Sequence, residues 1–152
     1  MGGFCGIVSK TDCVSDLFFG TDYHSHLGTH RGGLAVLGAN GLFQRSIHNI
    51  QNSPFRSKFE HDLPRLSGNV GLGVISDTDP QPLVMCSKLG MFAIVTVGYI
   101  ANIEELKKEL YEVHSAQLQY STTSGMVGPT ELVSAMLAYQ DSIVEGLKYI
   151  QT

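Results

Sequence analysis

Residues 1–9, MGGFCGIVS, decide the fold of this chain. Cys5 is followed by Gly6 and then by a short run of β-branched residues, a pattern typical of a strand. Gly6 has no Cβ, so another group can come close to the backbone beside Cys5. We therefore predict that 3–9 forms the first strand of a sheet and carries a reactive thiol. The alternative for Cys5 is a buried structural thiol.

The composition describes a globular protein of ordinary domain size. The chain has 152 residues, of which 43% are hydrophobic and 16% are charged. Its net charge of -4 argues against a nucleic-acid-binding surface, which needs basic residues to neutralise phosphates. No apolar run reaches the roughly 20 residues that span a bilayer, and no signal peptide opens the chain, so we expect a cytoplasmic protein without membrane contact. The cysteines Cys5, Cys13 and Cys86 show no CxxC spacing and are expected to be reduced thiols.

Turn and cap signals divide the chain into strands and helices. Asn40-Gly41 is a strong hairpin signal, Pro54 suits the first position of a helix, and Asn102 is a good N-cap. The predicted strands span 3–9, 33–38, 41–47, 69–76, 83–87 and 91–99. The predicted helices span 15–30, 53–66, 102–111 and 129–149, with a polar loop over 117–128. This order predicts one α+β domain over residues 1–152, in which helices cover a mostly antiparallel sheet.

Four separated stretches, spread over nearly the whole chain, carry a family resemblance. They are Cys5-Gly6-Ile7-Val8, His30-Arg31-Gly32, Gly71-Leu72-Gly73 followed by Gln81-Pro82-Leu83, and Val97-Gly98-Tyr99-Ile100-Ala101-Asn102. In this order and spacing they resemble the glutaminase domain of class II glutamine amidotransferases of the amidophosphoribosyltransferase type. The resemblance implies the four-layer αββα sandwich of N-terminal-nucleophile hydrolases. It also implies a role in purine synthesis, next to a phosphoribosyltransferase domain or partner chain.

The resemblance implies a chemistry for Cys5. In the family, a terminal cysteine attacks the side-chain amide of glutamine, giving a thioester, glutamate and ammonia, and its own α-amine is the base. An α-amine titrates near pH ~8 and accepts a proton at neutral pH, whereas an amide nitrogen does not. Cys5 is therefore the implied nucleophile only if residues 1–4 are removed. The resemblance places Arg31 close to Cys5 and assigns the backbone N–H of Gly98 to the oxyanion hole.

Three positions depart from the family pattern, and each belongs to the implied glutamine site. Ser76 stands in the place of the arginine that holds the glutamine carboxylate. Val97 replaces an oxyanion-hole asparagine, and Pro129 replaces the aspartate that pairs with the α-amine. One lost donor costs on the order of 10²–10³ in rate and one lost charge partner roughly 2–5 kcal/mol in binding, so we predict a degenerate glutamine site. Asp77 or Asp79 is the candidate to take over the amine contact, which makes Ser76, Asp77 and Asp79 the candidate substrate-binding residues.

The sequence leaves three functions open. The first is a glutamine-hydrolysing amidotransferase domain, and the second is a non-catalytic regulatory or interaction domain that keeps the fold. The third is hydrolysis of another amide, in a pocket that Val74 and Val97 make more apolar. The family domain continues beyond the helix that ends near Tyr149, so we expect an incomplete domain whose exposed sheet edge is completed by another chain in an oligomer.

Two further patterns concern a metal site and the role of Arg31. His26 and His30 are one helical turn apart, as paired metal ligands are, but no acid stands between them as in HExxH and Gly28 interrupts the helix. We therefore predict no metal site, and we expect no cofactor. The alternative for Arg31 is a structural role, in which its positive charge interacts favourably with the dipole at the C-terminal end of a helix.

Overall fold

The computed structural model describes residues 2–28, 30–114, 118 and 126–151. Its strands are β1 (Gly3–Val8), β2 (Arg31–Leu37), β3 (Phe43–Asn49), β4 (Val70–Ser76), β5 (Leu83–Ser87) and β6 (Gly90–Ile94). Its α-helices are α1 (Val14–Asp22), α2 (Phe55–Phe59), α3 (Ile103–His114), α4 (Pro129–Tyr139) and α5 (Ile143–Gln151). Within the described ranges, no helix is both long enough and apolar enough to cross a membrane.

Four strands form the larger sheet, in the order β1-β4-β2-β3, and every neighbouring pair is antiparallel. The register places Cys5 opposite Gly73, and Gly73 opposite Leu34. Directly paired residues of antiparallel strands point to the same side, so this register divides the sheet into two faces. We call the face that carries Cys5, Gly73 and Leu34 the helix face, and the opposite one the inner face.

The helices α1 and α2 cover the helix face. Strand glycines let α1 lie close to the sheet: a Cβ at Gly71 would lie 2.7 Å from Leu17 Cδ2, and one at Gly73 would clash with Thr21. The core beneath the helices consists of Cys13, Val14, Leu17, Phe18, Leu34, Val36, Phe55, Phe59, Leu66 and Ile75. Burial of a large apolar side chain contributes about 1.5–3 kcal/mol, so this core anchors the larger sheet.

The β5–β6 hairpin lies against the inner face. Arg45 Nη1 donates a hydrogen bond to the Pro82 carbonyl at 3.1 Å, and a Cβ at Gly33 would collide with the Gln81 carbonyl. Helix α4 packs against β5 and contacts α3 and α5. These helices share a second core, formed by Leu110, Val127, Leu132, Ala135 and Met136. The layers therefore follow as helices, sheet, sheet, helices, which is the αββα order that the resemblance implied.

Two predicted helices are shorter than the sequence suggested. The helix predicted over 15–30 ends at Asp22, because the next residues close tighter i→i−3 turns, as in the bond from His24 N to Thr21 O at 2.9 Å. Arg31 consequently begins β2 and does not end a helix. The helix predicted over 53–66 is divided into α2 and a 3₁₀ turn, Leu63–Arg65.

The helix predicted over 129–149 is two helices, α4 and α5. Gln140 ends α4 in an extended conformation with ψ 165°. The Ser142 hydroxyl then accepts a hydrogen bond from Glu145 N at 3.2 Å and caps α5. The helix predicted after Asn102 is confirmed and extends to His114.

The remaining predictions concern a hairpin, a strand end and one loop. The hairpin at Asn40-Gly41 is confirmed, with Gly41 at φ +76° in the turn between β2 and β3. Strand β6 ends at Ile94 because Thr96 N bonds to the Gln81 side chain, at 2.7 Å, and not to a strand. The polar loop predicted over 117–128 lies largely outside the described residues.

Candidate functional site

A cavity of about 460 Å³ opens where β4 ends. This volume is within the range of small-molecule sites. Its lining comes from the residue before β1, from the end of β4 with the turn after it, and from the segment after β6. The lining residues are Gly2, Ser76, Asp77, Thr78, Thr96, Val97, Gly98 and Tyr99. We call this cavity the β4-end pocket.

The register of β1 and β4 brings Gly2 into the lining. Gly3 pairs with Ile75, so Gly2 follows as the neighbour of Ser76. A Cβ at Gly2 would clash with the Ile75 carbonyl, and only glycine fits this close approach without movement of the backbone. Sequence analysis missed Gly2, because its place in the pocket depends on strand register and on no local signal.

The buried Gln81 carboxamide holds the pocket wall together. Its Nε2 donates to Ser76 Oγ at 3.3 Å and to the Thr96 carbonyl at 3.0 Å. Its Oε1 accepts a hydrogen bond from Thr96 N at 2.7 Å. Thr96 is tied further to α4 by a contact of 2.6 Å between its hydroxyl and that of Thr130. Gln81 therefore positions two lining residues, although the sequence offered it only as part of a family motif.

Asp77 provides the carboxylate of the pocket lining. Its side chain is 30% exposed, and His30 Nδ1 lies 3.6 Å from Asp77 Oδ1. The same ring nitrogen lies 3.2 Å from the Asp77 carbonyl, which accepts its hydrogen bond. Thr78 N donates to Ser76 Oγ at 3.1 Å and fixes the turn that carries Asp77. The lining is thus acidic and rich in hydroxyl groups.

Cys5 lies on the opposite face of the sheet from this pocket. Ser76 is three positions beyond Gly73, the register partner of Cys5, so the two side chains point to different faces. The Cys5 sulfur faces α1: a Cβ at Gly20 would lie only 2.6 Å from Cys5 Sγ. Burial raises the pKa of the Cys5 thiol. Cys5 is partly buried against the core, and it is not among the residues that line the pocket.

The other two residues assigned to catalysis lie closer to the pocket. Arg31 pairs directly with Ser76, so its half-buried side chain starts from the inner face, although it is not among the lining residues. Gly98 lines the pocket beside Val97. A Cβ at Gly98 would enter open space, so its neighbours among the described residues leave room for a larger side chain there.

Asp79 lies outside the pocket, at the start of α4. It is completely buried, and its Oδ2 accepts a hydrogen bond from Thr130 N at 3.1 Å. A Cβ at Gly128 would clash with this carboxylate. A negative charge at a helix N-terminus is stabilised by the exposed N–H groups and by the helix dipole. Asp79 therefore caps α4 at Pro129, the position where the family pattern has its aspartate.

The two histidines at helical-turn spacing, His26 and His30, belong to no metal-ligand set in the part of the chain that the structure describes. There, no three His, Cys, Asp or Glu side chains come together as a metal ion would require. His30 is instead engaged with Asp77.

Comparisons with known proteins agree with the fold. No family model matches the chain. Amidophosphoribosyltransferase of Pseudomonas aeruginosa is 27% identical over 120 residues, which are 74% of this chain and 23% of that protein. The chain resembles amidophosphoribosyltransferase. The structure of the B. subtilis glutamine phosphoribosylpyrophosphate amidotransferase with ADP and GMP has a TM-score of 0.78 at 19% identity, covering 98% of this chain and 33% of the other.

A second solved structure, described as the allosteric regulatory enzyme of purine biosynthesis, has a TM-score of 0.77 at 19% identity and the same coverage. At a sequence identity of 19%, these two structural matches establish the fold alone. The predicted resemblance to the glutamine domain of amidophosphoribosyltransferase is confirmed. This chain spans only 23% of the Pseudomonas aeruginosa protein and 33% of the B. subtilis one. Of the residues predicted from the motifs, Ser76, Asp77 and Gly98 share one pocket.

Proposed function

We propose that this chain is a glutaminase-type domain, related to that of amidophosphoribosyltransferase, which binds a small ligand in the β4-end pocket and does not hydrolyse an amide through Cys5. One observation carries the proposal: Cys5 and Ser76 belong to opposite faces of the larger sheet. A thiolate must come within bonding distance of the amide carbon, so it must enter the cavity that holds the substrate. The sulfur of Cys5 packs against α1 instead.

Removal of residues 1–4 would not by itself correct this geometry. It would free the α-amine of Cys5 and supply a base. The new terminus would nevertheless lie opposite Gly73, three positions short of Ser76. At about 3.3 Å per residue, this leaves roughly 10 Å along the strand. The sulfur would also keep its place on the helix face unless the strand shifted register by one residue.

The charge of the pocket lining also argues against glutamine as a substrate. In the family pattern an arginine holds the α-carboxylate, and Ser76 is the residue at that position here. Among the residues that the structure describes, none that lines the β4-end pocket is cationic. An unpaired carboxylate would lose roughly 2–5 kcal/mol of binding relative to a paired one.

The test is a glutaminase assay on the purified chain and on a version that begins at Cys5. We expect no release of glutamate or ammonia above the uncatalysed rate from either protein. A diazoketone analogue of glutamine should leave the mass of the protein unchanged. Hydrolysis by either protein that Cys5→Ala abolishes would refute the proposal, with Cys86→Ala as the matched control at an exposed thiol.

Amide hydrolysis by Cys5, Arg31 and Gly98 stays a prediction, and the same assay decides it. The observation in its favour is that Gly98 lines the pocket while Arg31 starts next to Ser76. On either function, we propose that the domain acts beside a phosphoribosyltransferase domain or partner chain. Co-expression of the two and co-elution from a sizing column would test that association.

A further inference from the structure

We propose that a second cavity, between the end of α1 and the start of α2, binds a small organic acid whose carboxylate is held by Arg56. The inference goes beyond the proposed function, because this cavity shares no lining residue with the β4-end pocket. Its volume of about 470 Å³ is within the range of small-molecule sites. We call it the α1–α2 pocket.

Two segments form the walls of the α1–α2 pocket. One runs from Asp22, the last residue of α1, to Gly28. The other covers residues 50–56, which follow β3 and lead into α2. Neither segment carries a sequence motif that announces a site, so only the fold brings their side chains together.

The Arg56 guanidinium is held in place by two contacts. Its Nε donates a hydrogen bond to Asp22 Oδ2 at 2.7 Å, and its Cζ lies 5.7 Å from the centre of the Phe19 ring. In the ranges that the structure describes, the Nη1 and Nη2 groups of Arg56 have no hydrogen-bond partner, and the side chain is 64% exposed. Two N–H donors of a guanidinium match the two oxygens of a carboxylate, so a ligand carboxylate would bind there without breaking the bond to Asp22.

The charge of Asp22 reduces the gain from this contact. Its carboxylate compensates the positive charge of Arg56 and repels a second anion nearby. Its bond is to Nε, however, so the Nη donors stay available for a ligand. Removing the charge of Asp22 while keeping its acceptor oxygen should therefore tighten binding, a result that a purely structural ion pair would not produce.

Gln51 adds an amide donor to the pocket lining. Its Oε1 accepts a hydrogen bond from Asn49 Nδ2 at 3.1 Å, and its backbone N–H donates to Asn49 Oδ1 at 2.8 Å. These two bonds orient the carboxamide, and within the described part of the chain its Nε2 has no acceptor. A carboxylate oxygen of a ligand would supply that acceptor.

The floor of the α1–α2 pocket is apolar. Ile50, Pro54 and Phe55 are among its lining residues. Phe55 is 2% exposed, and its ring stacks on that of Phe59 with 4.3 Å between the ring centres. A ligand body made of carbon gains free energy by covering such a floor, whereas inorganic phosphate has no apolar surface to bury. The pocket therefore favours a carboxylic acid with an apolar body over an inorganic anion.

Benzoate, benzamide and inorganic phosphate test the inference by NMR titration of the full chain at pH 8, where imidazolium groups contribute little charge. Benzamide keeps the ring without the negative charge, and phosphate keeps the negative charge without the ring. We expect benzoate to shift the amide signals of residues 22–28 and 50–56. It should bind at least about tenfold more tightly than either of the other two probes.

Variants of the ion pair separate binding by Arg56 from a structural role. Arg56→Gln should weaken benzoate at least about tenfold, while Arg65→Gln, at an exposed arginine outside the pocket, should leave the affinity unchanged. Asp22→Asn keeps an acceptor for Arg56 Nε and removes the negative charge, so it should tighten benzoate about threefold or more.

Three results would overturn the inference. One is the absence of any saturable shift of these amide signals by benzoate at up to about 10 mM in the folded wild-type chain. Another is an affinity for benzamide or phosphate that equals or exceeds the affinity for benzoate. The last is benzoate binding that neither Arg56→Gln nor Asp22→Asn changes. Hydrolysis of glutamine by Cys5 is a separate readout, which bears on the proposed function alone.

Discussion

Asp79 and Thr130 are 51 residues apart in the chain, and the buried Asp79 carboxylate accepts a hydrogen bond of 3.1 Å from the backbone N–H of Thr130. The bond joins the loop after β4 to the first turn of α4. It therefore connects the larger sheet to the helical layer on the other side of the molecule. Among the described residues, the second carboxylate oxygen of Asp79 has no hydrogen-bond partner.

We predict that Asp79→Ala lowers the free energy of unfolding by about 1–2 kcal/mol, because it removes an N-cap and exposes unpaired N–H groups of α4. Urea denaturation followed by circular dichroism measures the change. Asp141→Ala removes an exposed carboxylate and is the matched control. An unchanged midpoint for Asp79→Ala would mean that the cap contributes nothing.

Gln81→Ala should lower the free energy of unfolding by about 2–4 kcal/mol. The substitution breaks the three hydrogen bonds of the carboxamide and leaves the N–H of Thr96 without its acceptor. Chemical denaturation tests the size of the effect, and Gln51→Ala on the exposed surface is the comparison. Equal losses in the two variants would contradict the role given to Gln81.

Gly20→Ala tests the direction of the Cys5 side chain. In helix α1 the change gains up to about 1 kcal/mol of helix propensity, but the new methyl group meets Cys5 Sγ. We predict that it destabilises the wild-type chain and stabilises Cys5→Ala, with a coupling of at least about 1 kcal/mol. A double-mutant cycle in urea measures this. Additive effects would show that the sulfur does not face α1.

Stability should fall in acid through Asp62. The Ser46 hydroxyl and then His48, whose Nε2 lies 2.5 Å from Asp62 Oδ2, hold the pKa of Asp62 below its usual range. A carboxyl whose pKa is lower in the folded state stabilises the fold above its unfolded pKa, near about 4, and this stabilisation is lost as the pH falls through the folded pKa.

The stability difference between wild type and Asp62→Asn should therefore shrink between about pH 6 and pH 2, as urea denaturation at each pH will show. Ser46→Ala should reduce the same difference, because it removes the main cause of the shift. Ser57→Ala, at an exposed hydroxyl of α2, should leave it unchanged. A difference that is constant with pH would contradict the prediction.

The outer edge of β1 is expected to mediate self-association. No described strand pairs with it, and Phe4 and Val8 on its inner face are 57% and 80% exposed. Uncharged edge strands of this kind pair readily with another chain. Light scattering should detect dimers that Val8→Lys abolishes and that Val113→Lys, at an exposed residue of α3, preserves. A monomer at high concentration would refute this.

Local signals in the sequence were sufficient for most of the fold. The turn at Asn40-Gly41, the helix after Asn102 and the strand around Cys5 follow from short-range rules and are present as predicted. The order of these elements predicted an α+β domain, and the family resemblance implied the αββα layers. Breaks such as the one at Gln140 were not predicted, because the extended residue interrupts a continuous apolar pattern.

The arrangement of the site depends on long-range contacts that one sequence does not encode visibly. Whether Cys5 points toward the pocket depends on its pairing with Gly73, almost 70 residues along the chain. Asp79 was predicted to contact a substrate, and its burial at the N-terminus of α4 depends on a contact of similar range. The roles of Cys5, Arg31, Gly98, Ser76, Asp77 and Asp79 in substrate turnover stay predictions.

Alternate side chains of β1 point to opposite faces of the sheet and therefore have different surroundings. Phe4 lies on the same side as Gly2, and Cys5 on the other. Exchanging the identities of these two neighbours would place a sulfur on the inner face, and the larger ring at position 5 would press on α1 at Gly20. Whether a position along β1 is odd or even thus decides whether its side chain meets α1 or the more exposed side of the strand, so the even-numbered positions admit larger residues than the odd-numbered ones.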